Sequence, residues 1–119
     1  MGGLIVRLAK LLYPSLPLLA CAFLCVPHHG SLLAHLLPLP AVRQMRPNSP
    51  LLQKLKNQPW NLPSLVIWCP GDLLVFPGSN ALWHFATETI PCHVPIHNWP
   101  ILSPTLRTKI VHFLTLYSK

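Results

Sequence analysis

Acidic residues are almost absent from this sequence of 119 residues, in which Asp72 and Glu88 are the only two. The nine Lys and Arg residues therefore leave a formal net charge of +7, although their own number is ordinary. They are scattered along the chain, whereas a nucleic-acid surface usually gathers them on one face or interleaves them with aromatic residues. The charge pattern therefore disfavours a nucleic-acid-binding protein.

Charged residues of both signs together make up only 9% of the chain, whereas hydrophobic residues make up 51%. This composition is typical of packed core and not of a disordered chain. The 15 prolines disfavour long helices, because each one removes a backbone donor and clashes with the preceding turn. We therefore expect one small domain whose short elements are joined by loops.

The chain has four cysteines, and three of them lie in or beside apolar runs that are typical of buried strands. They are Cys21, Cys25, Cys69 and Cys92. Two disulfides are possible by number, but buried free thiols are favoured. The nearest approaches to a zinc site are Cys25 with His28 and His29, and Cys92 with His93. Neither has the paired spacing of a zinc cluster, so we expect no metal and no cofactor.

The first 26 residues have features of a secretory signal peptide. Arg7 and Lys10 precede the uncharged run Leu11–Val26, which contains small residues at positions 20–22. Two prolines interrupt this run, and it is shorter than the roughly twenty apolar residues that a spanning helix needs. A small basic secreted or membrane-associated protein is therefore one alternative.

The same residues also fit a helix followed by a strand. Apolar residues share one stripe over 4–12, which predicts a helix, and the apolar run 18–26 is typical of a strand buried on both faces. Residues 26–31, Val-Pro-His-His-Gly-Ser, favour this interpretation because they resemble the loop after the strand that follows the nucleophile helix in lipase-like hydrolases. A cytoplasmic or membrane-associated protein is accordingly expected in preference to a secreted one.

The rest of the chain alternates between strand and helix patterns. Short helices are predicted over 30–39, from Ser49-Pro50 onward and over 81–86, strands over 65–69 and 89–94, and a closing helix from Ser103-Pro104 onward. Ser49 would cap its helix, with Pro50 in the first turn. The closing helix has one apolar face, formed by Leu106, Ile110, Phe113 and Leu114. This alternation predicts an α/β fold, with a parallel sheet and flanking helices.

An acid follows the predicted strand 65–69. Residues 68–77 read Trp-Cys-Pro-Gly-Asp-Leu-Leu-Val-Phe-Pro, which places Asp72 at the carboxyl end of that strand. An acid in such a position can hold a histidine in one tautomer and stabilise its protonated form. The alternative is an ordinary Gly-Asp turn. We favour the functional role, because Asp72 is one of only two acids in the chain.

A candidate general base lies just before the closing helix. Residues 97–104 read His-Asn-Trp-Pro-Ile-Leu-Ser-Pro, so that His97 precedes the start of the helix by a short loop. His97 would accept a proton from a nucleophile and return it to the leaving group. His93 is the rival for this role, and the other histidines are interpreted as loop, surface or core residues.

Together these segments resemble the C-terminal part of an α/β-hydrolase of the lipase and esterase kind, over nearly the whole chain. Residues 1–4, Met-Gly-Gly-Leu, match the residues after the serine of the nucleophile elbow in many lipases, where the sequence is Gly-His-Ser-Met-Gly-Gly-Leu. The resemblance implies that Asp72 is the catalytic acid, His97 the base and the backbone of Met1 an oxyanion donor. Ile96 departs from the family, which usually has Gly before this histidine.

The resemblance also implies that the nucleophile would precede Met1, since no serine of this sequence lies in a Gly-x-Ser-x-Gly context. Residues 1–119 would then form a partial α/β-hydrolase domain, inactive by itself. An ester or lipid would be its substrate only after completion by an N-terminal half. We further expect an open sheet edge, uncovered apolar surface and possible peripheral association with membranes.

Overall fold

A parallel sheet forms the centre of the protein. The computed structural model describes residues 2–72, 74–93 and 99–117. Within them, the strands are β1 (Cys21–Leu24), β2 (Ser64–Trp68) and β3 (Glu88–Pro91). They lie in the order β1-β2-β3, and both pairs are parallel. The mixed α/β class and the parallel sheet are therefore as predicted.

Helices cover both faces of this sheet. The helices among the described residues are α1 (Gly2–Leu12), α2 (Pro40–Arg43), α3 (Pro50–Lys56), α4 (Trp99–Leu102) and α5 (Pro104–Tyr117), and single 3₁₀ turns span Leu32–His35 and Gly78–Ala81. Helices α1 and α3 pack on one face of the sheet, and α5 packs on the other. No helix among the described residues is long and apolar enough to cross a membrane. The sheet with its helices thus has three layers, which is the arrangement that buries a parallel sheet.

Strand β2 divides the core into two hydrophobic clusters, because successive side chains of a strand point to opposite faces. Val66 packs on the side of α1 and α3, with Leu4 and Leu55. Leu65 and Ile67 pack on the other side, in a cluster that includes Leu106 and Phe113 of α5. Ile110 and Leu114 border the same cluster, so the predicted apolar face of the closing helix is confirmed.

The helix and the strand predicted within the first 26 residues are both present. Helix α1 lies so close to the sheet that a Cβ on Gly3 would come within 2.8 Å of Val26 Cγ1 and 3.1 Å of Phe23 Cδ1. Leu4 is completely buried at this contact. Helix α1 therefore contributes to the core, as the helix-and-strand interpretation predicts.

Strand β1 is shorter and less buried than predicted. It spans four residues, of which only Phe23 is fully buried, but both of its faces pack against the core: Phe23 and Cys21 on one side, Ala22 and Leu24 on the other. Two features explain the difference. Cys25 has a φ of 51°, which ends the extended conformation, and β1 has a partner strand on one side only among the described residues. The open edge expected from the sequence is therefore present.

One predicted helix is wrong, and another is shorter than predicted. Residues 81–86 follow the 3₁₀ turn Gly78–Ala81 without forming a helix, because Leu82 is extended and Trp83 is buried among other aromatic rings. Residues 30–39 form one 3₁₀ turn, and helix α2, which the sequence did not predict, begins at Pro40. Tertiary packing of apolar side chains outweighs local propensity in both segments.

Large apolar side chains remain on the surface, as expected. Leu36, on the loop after the first 3₁₀ turn, is 75% exposed. Others include Tyr13, Leu19, Leu74, Val111 and Leu116. Scattered exposed apolar residues are common in folded proteins, so their presence alone identifies no interface.

Helix α3 begins at the cap that the sequence predicts. Ser49 Oγ accepts a hydrogen bond from Leu52 N at 3.2 Å and donates one to Gln44 O at 2.6 Å. We expect Ser49→Ala to lower the free energy of unfolding by about 1 kcal/mol, measured by urea denaturation. Ser103→Ala is the matched control, because Ser103 Oγ accepts only a longer bond of 3.4 Å from Leu106 N. Equal losses in the two variants would contradict the assignment of Ser49 as the stronger cap.

Candidate functional site

Asp72 lies directly after the central strand, at the position predicted for the acid. The chain turns at Pro70-Gly71, and Asp72 N donates to Cys69 O at 3.0 Å. The side chain of Asp72 is only 2% exposed. Its Oδ1 accepts hydrogen bonds from Leu74 N at 2.8 Å and from Val75 N at 3.1 Å. Two main-chain donors therefore hold the carboxyl group in one orientation.

The loop that contains these donors is tied to the loop after β1. Ser31 Oγ donates to Leu74 O at 2.9 Å and accepts from Phe76 N at 3.0 Å. Leu32 N donates to Phe76 O at 2.8 Å. The surroundings of Asp72 are thus fixed by contacts between two loops that are distant in sequence.

Three thiols lie at the same end of the sheet, one after each strand. Cys25 follows β1, Cys69 follows β2 and Cys92 follows β3. The sulfurs of Cys25 and Cys69 are 3.2 Å apart, and an oxygen of Asp72 lies within 4.8 Å of both. The carboxyl ends of parallel strands meet at one edge, which brings these residues together.

The environment of Cys25 and Cys69 keeps these two thiols protonated at neutral pH. Burial is the main cause that raises the pKa of Cys25 well above its usual range, and it raises the pKa of Cys69 to about 11. Only a thiolate is an effective nucleophile, so neither sulfur is activated for covalent catalysis. All four cysteines are free, as predicted from the sequence.

The two sulfurs of Cys25 and Cys69 and the Asp72 carboxyl group also form a set of donors suited to a soft divalent ion. The sequence led us to expect no metal, because its cysteines and histidines do not have the paired spacing of a zinc cluster. In the structure, the donors come together across the sheet instead. A cysteine directly after each predicted strand was the signal in the sequence that could have revealed this arrangement.

An apolar cavity of about 300 Å³ lies beside the loop that holds Asp72. Leu74 and Val75, whose backbone N–H groups bind Asp72 Oδ1, contribute to its wall. Across the cavity lie apolar side chains of the segment after β1, among them Leu33, Ala34, Leu37 and Met45. A cavity of this character suits an apolar group of modest size.

Of the three site residues predicted from the resemblance, Asp72 alone lies in the described part of the chain. His97 and Met1 lie outside the described residues. His93, the rival base, is exposed, and His28 is buried in the core. His35, His84 and His112 are exposed on the surface.

Comparisons with protein-family models, with curated proteins and with solved structures find no match to this chain. Its function must therefore be argued from the residues and their geometry.

Proposed function

We propose that this chain supplies the acid, Asp72, and the base, His97, of the catalytic triad of a serine ester hydrolase of the lipase and esterase kind. The observation that carries the proposal is the buried carboxyl group of Asp72, directly after the central parallel strand and held by two backbone N–H groups. A triad acid has to be held in this way, since it orients the imidazole and stabilises the imidazolium that forms during the reaction.

Two further features support the proposal. Gly3 lets α1 pack directly against Phe23 and Val26, which is the close approach that the small residues after a nucleophile serine permit. The apolar cavity beside Leu74 and Val75 would accept the acyl part of an ester. Both features lie next to the segments in which the sequence resembles the family.

The chemistry assigns a separate role to each group. His97 would take the proton of the attacking serine and give it to the leaving alcohol, while the carboxyl group of Asp72 keeps the imidazole in the correct tautomer. The backbone N–H of the residue after the serine, which the resemblance places at Met1, would help to bind the oxyanion in the extended protein. The serine itself would belong to polypeptide outside these 119 residues.

The test compares the chain with a version extended by the residues encoded directly upstream of Met1. The chain by itself is expected to hydrolyse p-nitrophenyl butyrate no faster than buffer, because acid and base have no nucleophile to activate. The extended protein is expected to be active, and His97→Ala is expected to remove that activity.

His112→Ala is the matched control for His97→Ala, because His112 is exposed on α5. It is expected to leave the activity of the extended protein unchanged. Two results would refute the proposal. One is an upstream sequence without Gly-x-Ser immediately before Met1, and the other is esterase activity of the unextended chain that His97→Ala abolishes.

A further inference from the structure

Helix α1 carries a positive charge into the protein interior. The side chain of Arg7 is only 3% exposed, and its guanidinium carbon lies 4.6 Å from the ring centroid of Trp83. Its Nε donates to Gln58 Oε1 at 3.4 Å, and its Nη2 donates to Leu55 O at 2.9 Å. These acceptors are neutral, so they satisfy hydrogen bonds without balancing the charge.

The described residues provide no carboxylate partner for Arg7. Asp72 lies among the thiols after β2, and Glu88 is the exposed first residue of β3. Burial lowers the pKa of Arg7 to about 10, and no acid opposes this shift. A buried charge is strongly unfavourable unless an opposite charge accompanies it, so a counter-anion would stabilise this part of the fold.

His28 adds a hydrogen-bond donor next to Arg7. Arg7 Nη1 lies 3.1 Å from His28 Nδ1, and because arginine can only donate, Nδ1 must be the acceptor. Burial and the charge of Arg7 lower the pKa of His28 to about 2, so the ring is neutral and carries its proton on Nε2. Among the described residues, no group accepts a hydrogen bond from this buried Nε2.

Arg7 and His28 contribute to the wall of a cavity of about 530 Å³. The other polar side chains of the wall are His29, Asn48, Gln53, Lys56, Asn57 and His84. Each of them can donate a hydrogen bond, and no acid is present among the described residues of the wall. Burial and, to a smaller extent, the charge of Arg7 lower the pKa of His29, another residue of this wall.

We infer that this cavity binds a small phosphate-bearing anion, with Arg7 and His28 on its inner wall and Lys56 at its rim. Arginine has five N–H donors, and the described residues accept three hydrogen bonds from Arg7. Two donors therefore remain on the guanidinium group. A phosphate group offers several acceptor oxygens together with negative charge, which matches a mixed wall of guanidinium, ammonium and amide groups.

The size of the cavity favours the phosphate group of a monoester over the free ion, because volumes of roughly 300–1,000 Å³ are typical of sites for small organic ligands. The inference is independent of ester hydrolysis. Neither Asp72 nor the three thiols at the strand ends contribute to this wall. A negative result in the test of one site therefore does not bear on the other site.

In the experiment, the full chain is titrated with sodium phosphate. Binding is measured by isothermal calorimetry and by the shift in thermal unfolding. Sodium chloride at equal ionic strength is the reference. A ligand that binds only the folded state raises the melting temperature as its concentration increases. We expect phosphate to raise it and chloride to leave it unchanged.

Two charge reversals on helix α3 test the location of the site. Lys56→Glu puts a carboxylate at the rim of the cavity and is expected to weaken phosphate binding by about tenfold or more. Lys54→Glu makes the same change in net charge at an exposed position of the same helix outside the wall. It is expected to leave the affinity for phosphate within about twofold of that of the unsubstituted chain, because exposed charges at a distance are screened.

Three results would overturn the inference. They are equal stabilisation by phosphate and chloride, equal loss of affinity in Lys56→Glu and Lys54→Glu, and phosphate binding that persists unchanged in a folded Arg7→Met variant. Sodium butyrate distinguishes the two kinds of oxyanion. Binding of butyrate as tight as that of phosphate would assign the site to a carboxylate and overturn the phosphate assignment.

Discussion

Asp72→Asn is expected to lower kcat for ester hydrolysis about 10⁴-fold in the extended protein that contains the nucleophile. An asparagine oxygen can still accept hydrogen bonds from Leu74 N and Val75 N, so the loop should keep its conformation. The amide has no charge to stabilise an imidazolium, and it allows the wrong tautomer of His97. The loss should therefore appear in kcat, while the melting temperature changes little.

Glu88→Gln is the matched control, since Glu88 is the only other acid in the chain. It pairs with Leu65 near the beginning of β2, at the opposite end of the sheet from Asp72, and its side chain is exposed. We expect Glu88→Gln to retain full activity. Equal loss of activity in the two folded variants, or full activity of a folded Asp72→Asn variant, would show that Asp72 is not the triad acid.

Gly78→Ala is expected to lower the free energy of unfolding by roughly 3 kcal/mol, at the upper end of the usual cost of overpacking. A Cβ at this position would lie 2.7 Å from Pro70 O and 2.9 Å from Pro70 C, and it would also collide with Cys69 O. These are backbone atoms of the turn that leads to Asp72. No change of side-chain rotamer can relieve the clash, so the turn itself would have to move.

Gly2→Ala is the control for this substitution. Nothing lies within 4 Å of the place where its Cβ would be, and Gly2 is the first residue of α1. Its replacement should leave stability unchanged or raise it by about 0.5–1 kcal/mol, because alanine favours the helix. Urea denaturation of both variants would measure the difference, and an unchanged unfolding midpoint for Gly78→Ala would disprove the close contact.

Much of the fold was predictable because the sequence patterns that specify its elements are local. The Ser49-Pro50 cap, the apolar face of α5 and the short β-branched strand before Asp72 each depend on residues within one or two turns of chain. The predicted helix over 81–86 failed because burial of Trp83 against Phe23 and Trp60 depends on segments that are distant in sequence. The predicted length of β1 was wrong for a similar reason, because the burial of a strand depends on which strands lie beside it.

The candidate site was predictable only in part. Asp72 could be singled out because acids are rare in this chain and because it follows a strand pattern. The approach of Cys25 and Cys69 to Asp72 was missed, since it exists only when parallel strands bring their carboxyl ends to one edge. Arg7 was missed too, because in the sequence it resembles an ordinary surface charge near an apolar run.

The sequence by itself determined the alternation of strands and helices, the Ser49 helix cap and the position of the acid after the central strand, because these follow from residue type and short-range periodicity. Only the tertiary structure decided which polar groups are enclosed together. Burial of Arg7 against His28 and Trp83, and of Asp72 beside two thiols, arises when the helices close over the sheet. Burial then shifts the pKa values of Arg7, His28 and the two thiols, and no local pattern in the chain encodes that effect.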